Sequence, residues 1–333
     1  MLPRPRLWPA LAASLGLAVG TLALLPSADA FCRSSTCKGK DCTLDDDGCP
    51  ADGKKLFWDT SCVGFSFDVQ TMSGQGDKLF SKKLDPVKAS GSIRKAFYEW
   101  SSIECPDGSG QADMRFQELE EVSCRISAYN SKGPNVNIVL FQDDFWKYRG
   151  EDNTLAKTTV TFDPNTGQIL DADIEINTAI NPVTVVDPKG GEDGFDPNVK
   201  YDLQSLMTHE IGHFLGIAHS PYPDATMFAS YTQGTVDLRS ISDDDREAIC
   251  AAYPPSRRAT CDAQPRGGLM TDCGPVSLDP SEAPEAAQAA PEEGMCAVSA
   301  PGAAEPGSSR YAVSAMVLSV LLCRFGRRRV LPS

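Results

Sequence analysis

All three histidines of this 333-residue chain fall within eleven positions, in the run His209-Glu210-Ile211-Gly212-His213-Phe214-Leu215-Gly216-Ile217-Ala218-His219. Positions four apart on an α-helix share one face about a turn apart, so His209 and His213 can aim their imidazoles at one point. Three residues later comes Gly216, free to enter the left-handed region that ends a helix and reverses the chain. That reversal returns His219 to the same point. The segment is therefore expected to be a helix followed by a tight turn, with three imidazole nitrogens converging.

Three protein nitrogens with a fourth position open make a catalytic zinc site, because zinc lowers the pKa of a bound water from about 16 to roughly 7. Glu210 follows the first ligand, so its carboxylate lies off the two-histidine line. It is placed to act as a base toward that water rather than as a ligand. The expected metal ligands are His209, His213 and His219, and the expected catalytic residue is Glu210.

The pattern H-E-x-x-H-x-x-G-x-x-H followed by a methionine turn is the signature of the metzincin metalloproteases, and this chain resembles them. The candidate turn is Asp224-Ala225-Thr226-Met227-Phe228. Ser220, directly after the third histidine, resembles the matrixin branch. So do the lead-in Tyr201-Asp202-Leu203-Gln204-Ser205-Leu206-Met207-Thr208 and the closing run Ile241-Ser242-Asp243-Asp244-Asp245 with Ile249 and Tyr253. Phe97-Tyr98-Glu99-Trp100 is similar to the end of that fold's first helix. The likeness spans residues 63 to 255 and is strongest from 201 to 253. It implies an α+β fold: a twisted, mixed five-stranded sheet with an antiparallel edge strand, three main helices, the metal-bearing helix among them, and Met227 as a structural floor beneath the metal.

The chain also departs from that family. No histidine remains for the second, structural zinc of vertebrate matrixins. The Pro-Arg-Cys-Gly-x-Pro-Asp segment that blocks the zinc in their zymogens is missing, and Cys105-Pro106-Asp107-Gly108 only echoes it. After Met227 the chain reads Phe228-Ala229-Ser230-Tyr231, where the family has an aromatic and then proline, so the specificity pocket wall is expected to differ in shape.

The ends read as processing signals. Residues 1–30 combine Arg4 and Arg6, an apolar stretch from Leu11 to Leu25, and Ala28-Asp29-Ala30 as a small-x-small cleavage site; this is a secretory signal, with an uncleaved anchor as the alternative. Residues 31–62 are Cys-rich, and residues 63–255 form the catalytic domain. Residues 256–309, rich in Pro, Ala, Gly and Glu and carrying the pair Cys261 and Cys273 besides Cys296, read as a linker. Residues 310–333 are hydrophobic and then Arg-rich. With Cys296 ahead of them they resemble the C-terminal sorting signals of bacterial, notably myxobacterial, surface proteins; a plain membrane anchor is the alternative.

The chain has twelve cysteines, ten of them between Cys32 and Cys273. In an exported chain that even number reads as five disulfides of undetermined pairing, although the Cys32–Cys49 cluster with Asp45 to Asp47 could instead bind metal. The formal charge of -14 becomes -20 over residues 31–309, because the first 30 residues carry +1 and the last 24 carry +5. Such acidity disfavours nucleic acid and anionic membrane surfaces as partners. The expected partner is a protein or peptide substrate, with membrane contact only through the C-terminal tail and no oligomeric state specified. The expected location is the cell surface, the outer membrane or the medium.

Strands are expected at Val63 to Val69, Met114 to Leu119, Val136 to Phe141, Leu155 to Phe162 and Ile169 to Asn177, the last two joined as a hairpin by Asp163-Pro164-Asn165-Thr166-Gly167. By resemblance, the strand from Leu155 is the sheet edge above the cleft, to which an extended peptide could add by backbone hydrogen bonds. Helices are expected from Pro86 to Ser102, from Asp202 to Leu215 with Asp202 as N-cap, and from Ser242 to near Tyr253. Asp163, Asp171 and Asp173, or Asp187, Glu192, Asp193 and Asp196, could bind calcium as matrixins do; turn chemistry accounts for them equally. The reading is thus an exported zinc endopeptidase, with Ca²⁺ as an optional second ion. The alternative is a catalytically inactive zinc-bearing surface binding or adhesion protein.

Overall fold

The computed structural model describes residues 31–37, 42–71, 78–79, 81–148, 153–185 and 198–273. The signal segment, the sorting tail, Cys296 and the acids Asp187, Glu192, Asp193 and Asp196 lie outside these residues.

Five strands form one sheet: β1 (Cys62–Phe67), β2 (Arg115–Glu118), β3 (Ile138–Phe141), β4 (Ala156–Phe162) and β5 (Ile169–Ile176), in the spatial order β2-β1-β3-β5-β4. The first four in that order run parallel, and β4 closes one edge antiparallel to β5 through the hairpin. This is the α+β arrangement, a mixed sheet with one antiparallel edge and three helices, that the resemblance implied. The helices are α1 (Pro86–Ser101), α2 (Leu203–Phe214) and α3 (Asp243–Ala252). None among the described residues is long and apolar enough to cross a membrane.

Alternation along the central strands gives the sheet two unlike faces. Ala172, Ile174 and Ile176 of β5, with Val139 and Phe141 of β3, point inward to the main core shared with α1 and α2. Phe65 stacks on Phe97 of α1 with ring centroids 3.9 Å apart. The opposite face of β3 carries Ile138 and Leu140, which join Val122, Cys124 and Val136 in a second, smaller core. The opposite face of β5 carries Asp171, Asp173 and Glu175, all buried.

What covers that second face departs from the linker expectation. The Pro-, Ala-, Gly- and Glu-rich composition of residues 256–309 predicts a linker, yet residues 256–273 run as a strap across the sheet. Leu269, Met270 and Cys273 pack on the smaller core. The strap exchanges backbone hydrogen bonds with Ser61, Ser123 and Asn135. It passes so close to β1 that a Cβ on Gly64 would stand 2.1 Å from the Ala263 carbonyl oxygen. The apolar outer face of β3 needs cover, and two disulfides, Cys62–Cys261 and Cys124–Cys273, hold the strap there. Overall composition hid this, because only Leu269 and Met270 supply large apolar side chains.

The remaining described cysteines pair as Cys32–Cys49, Cys37–Cys42 and Cys105–Cys250. The Cys32–Cys49 cluster is therefore disulfide-bonded, which removes its thiolates as metal ligands.

Candidate active site

The metal-bearing helix is built from its ends. Asp202 caps α2, accepting from Ser205 N at 2.9 Å, and it is itself clamped by Arg239 at 2.6 and 2.7 Å. At the other end Gly216 takes φ +80. Its N–H reaches the His213 carbonyl and the Ile217 N–H reaches the Gly212 carbonyl, each at 2.9 Å, the paired closure of a Schellman turn. The last carbonyls, which a helix cannot satisfy itself, accept from buried aromatics: Phe214 O from Trp58 Nε1 at 2.8 Å and Leu215 O from the Tyr253 hydroxyl at 2.7 Å. Trp100 Nε1 of α1 donates to Thr208 O at 2.7 Å, one residue before the first histidine.

On this frame the three histidines converge. One ligand atom from each of His209, His213 and His219 lies within 4.8 Å of the others. His209 Nδ1 meets Thr226 O at 2.7 Å, and His213 Nδ1 meets Ile217 O at 2.9 Å. A carbonyl only accepts, so both Nδ1 atoms carry the proton and both Nε2 atoms turn a lone pair toward the shared point. His213 Nε2 and His219 Nε2 are 3.1 Å apart, while His209 Nε2 is buried with no hydrogen-bond partner. Burial, reinforced by the neighbouring imidazoles, holds His209 and His219 well below the usual histidine range, keeping them neutral. Neutral rings, oriented tautomers and an orphaned buried nitrogen fit a zinc ion.

Glu210 is fully buried beside them. Its Oε2 accepts a 2.6 Å hydrogen bond from the Thr158 hydroxyl of β4. Met227 lies under the helix, fully buried, in a turn held by Ser220 N to Met227 O at 2.9 Å. Asp245 of α3 fixes the same turn from below, accepting from Thr226 N at 2.6 Å and Met227 N at 3.2 Å. Tyr231, at the end of the stretch that departs from the family's proline, is buried. Its hydroxyl accepts from Asp202 N at 3.1 Å and donates to Thr235 O.

Of the acids named for calcium, the described set Asp163, Asp171 and Asp173 does not converge on one point. Asp163 sits in the hairpin turn and accepts from Asn165 N at 2.8 Å, as turn chemistry requires. Asp171 and Asp173 lie on the outer face of β5. Among the described residues, the set of three or more potential ligands that converges is the histidine triad.

A match to the matrixin family model extends over residues 78–254, more than half of the chain. The chain belongs to the matrixin family. Matrixins are zinc metalloproteases, and the convergent triad is the ligand set their catalytic zinc requires. Similar proteins include a probable matrix metalloproteinase of Invertebrate iridescent virus 3, 36% identical over 171 residues, which make up 51% of this chain and 39% of that protein. Metalloendoproteinase 1-MMP of Arabidopsis thaliana is 25% identical over 171 residues, with the same coverage of both chains. Bovine (Bos taurus) interstitial collagenase is 41% identical over 73 residues, 22% of this chain and 15% of the collagenase. The chain thus spans about two fifths of the length of the first two relatives.

Two parts of this matrixin site escape a linear reading. Thr158 lies fifty-two positions from Glu210, in a strand whose alternation predicts only an inward side chain. Asp245 reads as a first-turn acid of α3, and its hold on the methionine turn depends on where α3 packs. Asp202, by contrast, is legible as a cap, although its partner Arg239 is not.

Proposed function

We propose that this matrixin is an exported zinc endopeptidase, with zinc on His209, His213 and His219 and Glu210 as the general base. The observation that carries this reading is the convergence of three imidazoles, two of them fixed in tautomer by backbone carbonyls, beside one buried carboxylate. Zinc held there supplies a Lewis acid that acidifies water and polarises a peptide carbonyl.

The chain's own residues do the rest. The outer edge of β4 borders the sheet, so its backbone groups can pair with an extended peptide and hold it in register along the cleft. Glu210 takes the proton of the attacking water and passes it to the departing amine, the two transfers that peptide hydrolysis needs. Thr226 O and Ile217 O keep His209 and His213 in orientation throughout. Met227 packs beneath and touches no reacting atom.

Export is supported by five disulfides among the described residues, a pattern at home in oxidising compartments. It belongs to the same proposal that residues 1–30 are removed and that the tail after Cys296 sorts the protein to the surface. Mature protein from the producing cell should begin at Phe31, and a start at Met1 contradicts removal of the signal.

Glu210→Ala tests the chemistry. The variant should bind zinc as the wild type does and lose cleavage of a broad peptide library by at least about 10²-fold. Unchanged cleavage overturns the assigned base, and a wild type that cuts nothing when zinc-loaded favours the surface-binding alternative.

A further inference from the structure

Thr158 is the one polar side chain in the inward row of β4, between Ala156 and Val160, which face the same way by strand alternation. Valine has nearly its shape and suits an edge strand equally well, so packing alone does not call for a hydroxyl here. The side chain is 1% exposed, and its Oγ1 stands 2.6 Å from Glu210 Oε2 and 3.1 Å from the Glu210 backbone oxygen. A hydroxyl has one proton, and the shorter contact, to the carboxylate oxygen, takes it; 2.6 Å is a short O–H···O bond.

We propose that Thr158 is the positioning residue for Glu210, locking the carboxylate of the general base to the strand that receives the substrate. The inference rests on the reading of Glu210 as the base. Its physical content is a shared frame of reference. A β-branched residue has few χ1 choices, and β4 is registered against β5 over seven pairs, with Thr158 opposite Ile174. The hydroxyl is therefore held by backbone, and through it so is one oxygen of Glu210. A glutamate otherwise rotates about three side-chain bonds. A peptide paired to the outer edge of β4 then meets a base whose position is set by the same strand. Small misplacements of a catalytic group cost up to about a hundredfold in rate, so this single bond can matter without touching the substrate.

The test compares Thr158→Val, Thr158→Ala and Thr158→Ser with wild type in the zinc-loaded full-length chain. The substrate is a quenched-fluorescent peptide chosen for its cleavage by wild type. Val and Ala should lower kcat by about tenfold to a hundredfold while KM and bound zinc stay within twofold, and Ser, which restores the hydroxyl, should recover most of the loss. Crystal structures of the Val and Ala variants should show the Glu210 carboxylate moved or spread over several rotamers, a readout that does not depend on turnover. If Val does not fold, Ala carries the comparison. Hydroxyl-free variants with wild-type kcat and an unmoved Glu210, or a Ser variant no better than Val, overturn the proposal. Loss of cleavage in Glu210→Ala alongside intact cleavage in Thr158→Val sinks this inference and leaves the function standing. A wild type that cleaves nothing sinks the function and with it the catalytic role of the bond, and a Glu210 that still shifts in the Val variant then leaves only a structural lock between the two side chains.

Discussion

Gly212 and Met227 meet where no side chain fits between them: a Cβ on Gly212 would stand 2.1 Å from the Met227 sulfur and 3.0 Å from the Trp100 ring. The methionine turn thus rests on bare helix backbone, one residue before His213 of the convergent triad. Alanine at 212 favours a helix by about 1 kcal/mol, whereas overpacking costs about 1–3 kcal/mol. With contacts on two sides the second effect should win. Calorimetry of Gly212→Ala is expected to show a Tm lower by several degrees, and an unchanged or higher Tm would mean that Met227 swings aside freely.

Asp245 holds Thr226 N, and Thr226 O holds His209 Nδ1. The last helix is in this way connected to His209, a proposed zinc ligand, through one peptide of the methionine turn. Asp245→Ala leaves two buried N–H groups without an acceptor and should cost about 3 kcal/mol. Because a partner behind a ligating histidine is disturbed, zinc affinity should fall by about 10–100-fold, with Asn milder than Ala. Competition with a chromogenic chelator measures this, and full affinity in the Ala variant would show that the turn holds His209 unaided.

The strap predicts where the catalytic unit ends. The Cys62–Cys261 bridge closes a separation of 199 residues and Cys124–Cys273 one of 149. A protein stopped at residue 255 loses both bridges and the cover over Ile138 and Leu140. It should be markedly less stable than one stopped after residue 273. The paired change Cys62→Ser with Cys261→Ser should cost about 2–5 kcal/mol by itself. Equal denaturant midpoints for the 255 and 273 forms would return the strap to the status of a linker.

Stability should also fall as pH rises through the weakly acidic range, by a route separate from the histidines. Burial is the main reason that Asp173 is pushed up to about 7, with the Glu175 charge adding to it. Burial and then the Asp173 charge hold Asp171 well above the usual carboxylate range. An unfolded aspartate titrates near 4, so between about pH 4 and 7 the folded state carries the extra proton. The contribution is therefore favourable at the acid end and is lost as pH climbs through that window, reaching its minimum above 7. Asp173→Asn keeps an acceptor for Ile138 N, which sits 3.0 Å from Asp173 Oδ1, and removes the charge. Between pH 5 and 7 the zinc-loaded wild type should lose at least about 1.4 kcal/mol more stability than this variant. Parallel unfolding curves for the two proteins would rule the mechanism out.

Elements whose signals are local were legible in the chain. The five strands of the sheet show their alternation or apolar runs, the hairpin shows Asp163 to Gly167, and Asp202 and Ser242 mark helix starts by capping. The histidine triad was legible for the same reason: a four-residue helical spacing and one glycine reversal bring all three rings together within eleven residues. Disulfide pairing was not, because any two of ten cysteines satisfy the same composition and only backbone proximity chooses among them.

What the amino-acid order determined by itself, then, is the histidine-bearing helix, its turn and the strands, each set by short-range geometry that tertiary contacts had only to accept. Only the folded chain decided that Thr158 reaches Glu210, that Asp245 supports the methionine turn and that residues 256–273 seal the outer face of the sheet. These contacts join residues 18 to 199 positions apart. No local periodicity encodes such pairings, since they arise where apolar faces and unsatisfied polar groups find cover in three dimensions.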